Sequence, residues 1–499
     1  ERLQKLTITK YLAGLATESN VSITRGYGMA LGVLPLRLLE LPEGRIDEVL
    51  ACMAEICSPE HRINGEYDAN TCCNCVASLI EIAERLCLSR RVRVEHIAKC
   101  FAILQASVQD YNIDNRGDTG SWSRVLALKG MAALVFALVY RMDNITVPVS
   151  CSSVETSFGI GKIIYTDVKS ESVTVMKVSY PRGSLGAQRN SQDNTIIGRQ
   201  GHNCGSATDL ADMTTCLASS EIVLLLQTHL PLVVCSVLKQ LAEKLDSVRE
   251  VAGGVLLRLI DLLNPEIGSP HAAVLFQDLS FIESVLVKHA TSQGLAPSIA
   301  AVEQSVNWSH PAHVFPIVCA MLDSSVFCAS ILSGLVVSVG GLSETTARFS
   351  SSSLLAHCRQ NQYCGSGKVA DLVDTLVEIL TTSRKIDRVV VPTVKTFLTL
   401  LNDGTLDDLS TNIKVNVSER LYSLLFIEVK GSTNMAKVRL VVELQVRLLS
   451  FCRTGRTVHK NGMLTVLPML THRFPLIRKC KFNMLPLLKM NHVITLILL

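Results

Sequence analysis

Apolar residues recur every three or four positions along most of this 499-residue chain, and short polar turns break the pattern at intervals of about one helix. That period puts the apolar side chains on one stripe of a helix. The clearest unit is LPLVVCSVLKQLAEKLDSVREVAGGVLLRLIDLL, residues 230–263: an apolar helix opened by Pro231, a turn at Asp246, then a second helix carrying Val248 and Arg249. This is a helical hairpin of the HEAT type. In it Asp246 can cap the second helix, and Arg249 can bridge toward the next hairpin. A single hairpin cannot bury both of its faces, so the units must stack into an extended array with a long concave surface. The expected fold is therefore all-α, a HEAT/armadillo-like α-solenoid of stacked helical hairpins with one irregular insertion.

Helices are expected over residues 24–40, 45–57, 68–86, 94–108 and 122–141. Further hairpins follow at 312–342, where Gly340 and Gly341 suit a C-cap, and at 387–404 with 418–429. Residues 150–218 break the rhythm. They are rich in Ser, Thr and Gly and lack a helical period, which suits a disordered or irregular excursion, with a small β-ribbon over 162–180 as the alternative. The expected organisation is helical repeats over 1–149, the insertion over 150–218, HEAT-like repeats over 219–479 and an atypical apolar tail over 480–499.

Composition narrows the function classes. Hydrophobic residues make up 48% and aromatics only 5%, a balance that fits helices packed on helices better than a sandwich or barrel. The 48 basic and 44 acidic residues give a net charge of +4 with no basic block, so nucleic acid is not indicated. The 17 cysteines lie mostly at apolar helical positions such as Cys52, Cys87, Cys235 and Cys319, and no secretory signal opens the sequence, so a reducing compartment is expected. The sequons at Asn20, Asn144, Asn307 and Asn416 are then expected to be unused. The apolar runs GMAALVFALVY and SILSGLVVSVGGL are shorter than the roughly 20 residues that span a bilayer, so they are read as buried helices.

No chemical motif is complete. Cys72, Cys75, His96 and Cys100 have spacings a zinc site could use, yet each also falls on an apolar helical stripe, where packing explains it. YCGSGKVA resembles the end of a phosphate loop, but Gln362 stands where the first glycine belongs and Val369 where the magnesium-binding hydroxyl belongs. His271, His310 and His313 sit near expected helix starts. A catalytic constellation, a cofactor and a metal are not expected. A hydrolase site within the irregular segment is the least favoured alternative.

The stretch NIDNRGDTGSWSR contains an adhesion tripeptide, Arg116-Gly117-Asp118. Its order repeats that of Asp246 to Arg249: an acidic residue in a turn, a helix start capped by Asp118 or Ser121, and Arg124 just inside, with Trp122 free to pack. A turn between helices is expected rather than a displayed ligand.

Seven segments then resemble, in order, the C-terminal half of the tubulin-folding cofactor D family: TRGYGMALGVLP, QDYNIDNRGDTGSWSR, EKLDSVREVAG, HVFPIVCAML, LSGLVVSVGGLSETTAR, RVVVPTVKTFLTLL and LTHRFPLIRK, from Thr24 to Lys479. The resemblance implies a cytoplasmic, cytoskeleton-associated chaperone that binds β-tubulin and helps assemble the α/β-tubulin heterodimer with tubulin-folding cofactors C and E. It also implies an ARF-like small GTPase as regulator and GTP hydrolysis by tubulin, so that this chain is scaffold and not enzyme. Partner contacts are expected at Arg116, Asp118, Trp122 and Arg124 and at Asp246, Arg249 and Arg348. The repeat pattern alone also permits a karyopherin-like or phosphatase scaffold.

Overall fold

The computed structural model describes residues 2–39, 45–58, 68–89, 92–146, 219–263, 278–341, 343–363, 367–406, 415–451 and 475. Among them the long elements are all α-helices. The first part holds α1 (Arg2–Thr17), α2 (Val21–Gly32), α3 (Ile46–Cys57), α4 (Ala69–Leu88), α5 (Val94–Val108) and α6 (Gly120–Thr146). The second holds α7 (Ser219–Leu241), α8 (Asp246–Leu263), α9 (Leu279–Ser292), α10 (Ile299–Ser305), α11 (Pro311–Ala320), α12 (Cys328–Val339), α13 (Glu344–Tyr363), α14 (Lys368–Thr382), α15 (Asp387–Asn402), α16 (Val415–Val429) and α17 (Met435–Phe451).

Helices start where the sequence supplies an oxygen for their first free N–H groups. Asn20 Oδ1 accepts from Ser22 N at 3.0 Å at the head of α2, and Asp68 Oδ2 from Thr71 N at 3.0 Å at the head of α4. Between such starts, apolar stripes drive the packing. In α14, Val369, Leu372, Val373, Leu376, Val377 and Leu380 are buried while Asp371, Asp374 and Glu378 face solvent. Each buried aliphatic side chain of that size contributes about 1.5–3 kcal/mol.

The hairpins stack as the repeat pattern requires. One row runs α2, α4, α6, and α6 packs on both α7 and α8; from α7 the row continues through α12 and α15 to α17. A second row places α3 on α5 and α5 on α7. The C-terminal end of α7 lies at the start of α6, because Gln240 Nε2 donates to Val108 O and Tyr111 Oη at 3.3 and 3.0 Å. Helices α6 and α7 are therefore antiparallel neighbours, although residues 147–218 separate them in sequence.

A polar rule accompanies the apolar one. The last carbonyls of a helix lack intrahelical partners, and here a side chain of the next helix in the row supplies a donor. Arg85 of α4 donates to Gly32 O, the last carbonyl of α2, and to Leu34 O just beyond it at 2.7 Å. Arg141 of α6 donates to Cys87 O and Ser89 O at 2.5 and 2.8 Å, at the end of α4. Ser338 of α12 donates to Ala242 O at 2.7 Å, and Lys395 of α15 to Gly340 O at 3.0 Å.

Several expectations need correction. The helix expected over 24–40 ends at Gly32 and gives way to a 3₁₀ turn at Leu36–Leu38, since Pro35 lacks an N–H and disfavours helix before it. Pro231 does not open α7 but lies inside it, because the apolar period already runs through the residues before it. The run GMAALVFALVY belongs to a longer helix: Gly120–Met142 and Ser220–Leu241 are both long and apolar enough to cross a membrane, with 67% and 44% of their most apolar windows buried. Packing against neighbouring helices accounts for the apolarity of the buried part of each. Gly340 is the C-cap of α12, but at φ −88° rather than in the left-handed region. The segment 150–218 with its candidate ribbon, the resemblance at 470–479 apart from Pro475, and the tail at 480–499 lie outside the described residues.

Candidate functional site

The turns that join paired helices line one edge of the stack, and polar contacts run from turn to turn along it. At the first rung, Arg25 of α2 makes a two-pronged pair with Asp68, the cap of α4, at 2.6 and 2.7 Å. Asp114 and Arg116 lie within electrostatic reach of that pair.

The adhesion-like tripeptide is folded into the α5–α6 turn. Asp114 and Gly117 exchange backbone hydrogen bonds of 3.0 Å each, with Gly117 at φ +105°, a conformation that strains a residue bearing a Cβ. Arg116 donates to the Asp114 carboxylate through Nε and Nη2, at 3.0 and 2.6 Å to Oδ2. Asp118 caps α6, accepting from Ser121 N at 3.1 Å, and its two oxygens also accept from Arg124 at 3.1 and 3.2 Å. Both charges of the tripeptide are thus held within the turn. Trp122, expected to pack, is 41% exposed with the Arg116 guanidinium 5.1 Å from its ring centre.

Arg124 is fully buried and donates to Asp110 O at 2.6 Å. Its guanidinium stacks on Tyr111 at 4.3 Å, and two cations from other hairpins reach the same ring: Arg388 of α15 at 3.5 Å and Lys239 of α7 at 5.7 Å. Lys239 also donates to Gln109 Oε1 at 2.6 Å. Burial, reinforced by Arg388 and Arg124 and opposed by Glu243, pulls Lys239 down to about 8. Burial likewise pushes the Tyr111 phenol up. Glu243 is fully buried, and neither carboxylate oxygen has a hydrogen-bond donor among the described residues.

The next rung is Arg249, also fully buried. It donates to Glu243 O at 2.9 Å, to Asp246 Oδ1 at 2.5 Å and to Ser309 O at 2.6 Å, reaching the turn before α11 as the sequence pattern suggested. Asp246 is the first residue of α8 and meets Arg249 through its side chain, rather than standing before the helix as a cap. Beyond Ser309, His310 lies 6.4 Å from the Phe349 ring, over which the exposed Arg348 sits at 4.9 Å.

All seven expected contact residues therefore fall on this edge, but in two roles. Arg124 with Asp118 ties the α5–α6 turn to itself and Arg249 with Asp246 ties its turn to that of Ser309, while Arg116, Trp122 and Arg348 face outward. Tyr111, Lys239, Glu243 and Arg388 were not singled out by sequence. Tyr111 sits within the quoted turn, but nothing local marks Arg388, 277 positions further along.

Elsewhere, the candidate zinc ligands do not form a metal cluster among the described residues. Cys72, Cys75 and Cys100 are buried, and burial raises the Cys75 and Cys100 thiols, while His96 Nε2 lies 3.5 Å from Asp47 Oδ2. Lys368, from the phosphate-loop-like run, pairs with Asp323 at 2.9 Å. That pair adjoins a cleft of about 420 Å³ between α9, α11 and α13, rimmed by His289 and His357, both of whose pKa values burial lowers.

Compared with models of protein families, residues 232–437 match the one described as Tubulin folding cofactor D C terminal. The match runs from within α7 into the start of α17 and includes Lys239, Asp246, Arg249, Arg348 and Arg388.

Proposed function

We propose, from the match of residues 232–437 to the tubulin folding cofactor D C-terminal family, that the chain is a folding scaffold that holds β-tubulin and assists assembly of the α/β-tubulin heterodimer. The family match carries this reading. The stacked hairpins support it physically, because an extended row of turns presents a large surface to a protein partner.

In the proposed cycle the solenoid binds unassembled β-tubulin tightly and releases it once the heterodimer is complete. Differential affinity for the two states is all that such a cycle needs. Cofactors C and E and α-tubulin are the proposed companions, an ARF-like small GTPase the proposed regulator, and tubulin itself the group that hydrolyses GTP. The cytoplasm and the microtubule cytoskeleton are the proposed setting. On the scaffold, Arg116, Trp122 and Arg348 are the proposed outward contacts, with Asp118, Arg124, Asp246 and Arg249 holding the turns beneath them.

The test is co-elution of the purified chain with β-tubulin newly released from chaperonin, with intact heterodimer scored separately. A stoichiometric complex is expected, and Trp122→Ala together with Arg348→Glu is expected to weaken it at least about tenfold, given that aromatic and Arg anchors dominate interfaces. A helical, cooperatively melting chain that ignores β-tubulin sinks the reading and favours a karyopherin-like or phosphatase scaffold.

A further inference from the structure

Arg124, Lys239 and Arg388 come from three hairpins and converge on one tyrosine ring, a cost in like-charge repulsion that the local anions offset only in part. Arg124 is matched by Asp118, and Arg249 by Asp246. Lys239 has Glu243 within electrostatic reach but not within ion-pair distance. Arg388 has no carboxylate at ion-pair distance among the described residues, because the neighbouring Asp387 pairs with Lys437 at 2.7 Å. The local charges therefore cancel to about one uncompensated cation, held against an aromatic face. Tyr111, Lys239 and Arg388 are each half-buried, so the crevice is shielded yet open.

We propose that this crevice, where the α5–α6 turn meets α7 and the head of α15, is a receptor for one carboxylate of an acidic peptide segment. Lys239 Nζ and the Arg388 guanidinium are its donors, and the Tyr111 ring is its wall. The charge balance selects the ligand. A single carboxylate neutralises the surplus, whereas a doubly charged phosphate overshoots it and meets repulsion from Glu243 behind Lys239. The border selects the flanking residues. Ile386 is 47% exposed, directly after the exposed Arg384 and Lys385 on the turn leading into α15, so an aliphatic residue beside the acidic one has a place to rest. Because Arg388 and Arg124 lie in sequence-distant parts of the chain, an occupied crevice also ties the first hairpins to the later ones. The inference does not depend on which protein carries the segment.

Fluorescence anisotropy of the full chain with a fluorescein-labelled peptide of alternating glutamate and leucine tests it, against the same peptide with glutamine for glutamate. Only the glutamate peptide is expected to bind. Arg388→Gln and Lys239→Gln are each expected to weaken it about tenfold, the scale of one charge-assisted hydrogen bond, while Arg388→Lys retains most of the affinity. Arg384→Gln, on the exposed turn, is the control for diffuse attraction and is expected to change affinity less than about twofold. Affinity is also expected to fall as pH rises through about 8, where Lys239 loses its proton while burial keeps the Tyr111 phenol neutral. Circular dichroism and melting of each variant check the fold; Lys239→Gln carries the test if loss of the Arg388 stack disturbs it. Equal losses at Arg384, binding of the glutamine peptide, or displacement by inorganic phosphate at concentrations where acetate has no effect would each overturn the assignment.

Discussion

Arg249 sits where two hairpins depend on one side chain. It is fully buried, yet its guanidinium reaches the carbonyls of Glu243 and Ser309 and the carboxylate of Asp246. Truncation leaves two backbone acceptors without that donor and removes a positive charge near the buried Glu243. Breaking a buried charged network of this kind costs about 3–5 kcal/mol. Arg249→Ala is accordingly expected to lower the unfolding free energy from urea titration by that much, and a loss below about 1 kcal/mol would show that water replaces the guanidinium without strain. An acidic residue followed three positions later by Arg was visible in the sequence, and so was its bridging role. What could not be read was burial. An Asp precedes Arg116 by two positions and Arg124 by six, yet the first is exposed and the second buried, since exposure is decided by how Tyr111, α7 and α15 close over the turn rather than by neighbours in the chain.

At the scale of elements, periodicity located most helices to within a few residues, because an apolar stripe flanked by a capping oxygen leaves little choice. The expected and observed bounds coincide at α5. Misplacements fell at prolines, where the local rule competes with packing: Pro35 ends the helical region early, but Pro231 is carried inside α7. The run SGLVVSVGG shows what periodicity misses. Gly334 brings α12 so close to α7 that a Cβ on it would lie 2.0 Å from the Lys239 carbonyl oxygen, backbone that cannot step aside. Gly334→Ala is therefore expected to push the two helices apart. The expected cost is about 1–3 kcal/mol, typical of overpacking, read as a lower melting temperature together with weaker binding at the neighbouring Lys239 crevice. A melting temperature that stays put would mean that α7 and α12 slide past one another freely.

At the scale of the whole molecule, α6 and α7 pack directly on one another although residues 147–218 lie between them in sequence. Met142 near the end of α6 and Ile222 near the start of α7 already belong to one core, and the antiparallel course of the two helices puts those ends on the same side. Antiparallel neighbours need a connection of only about 2–8 residues. Replacing residues 150–215 with a Gly/Ser linker of about a dozen residues is therefore expected to keep the helical signal and a cooperative melt. Shortening the connection also removes about 1–2 kcal/mol of closure entropy, so the midpoint should hold or rise slightly. The same variant separates folding from function. If the solenoid is the client-holding surface, β-tubulin co-elution should survive the replacement along with the melt. Loss of the cooperative melt would instead place the long segment inside the folding unit, and the chain could no longer be treated as one continuous stack of hairpins.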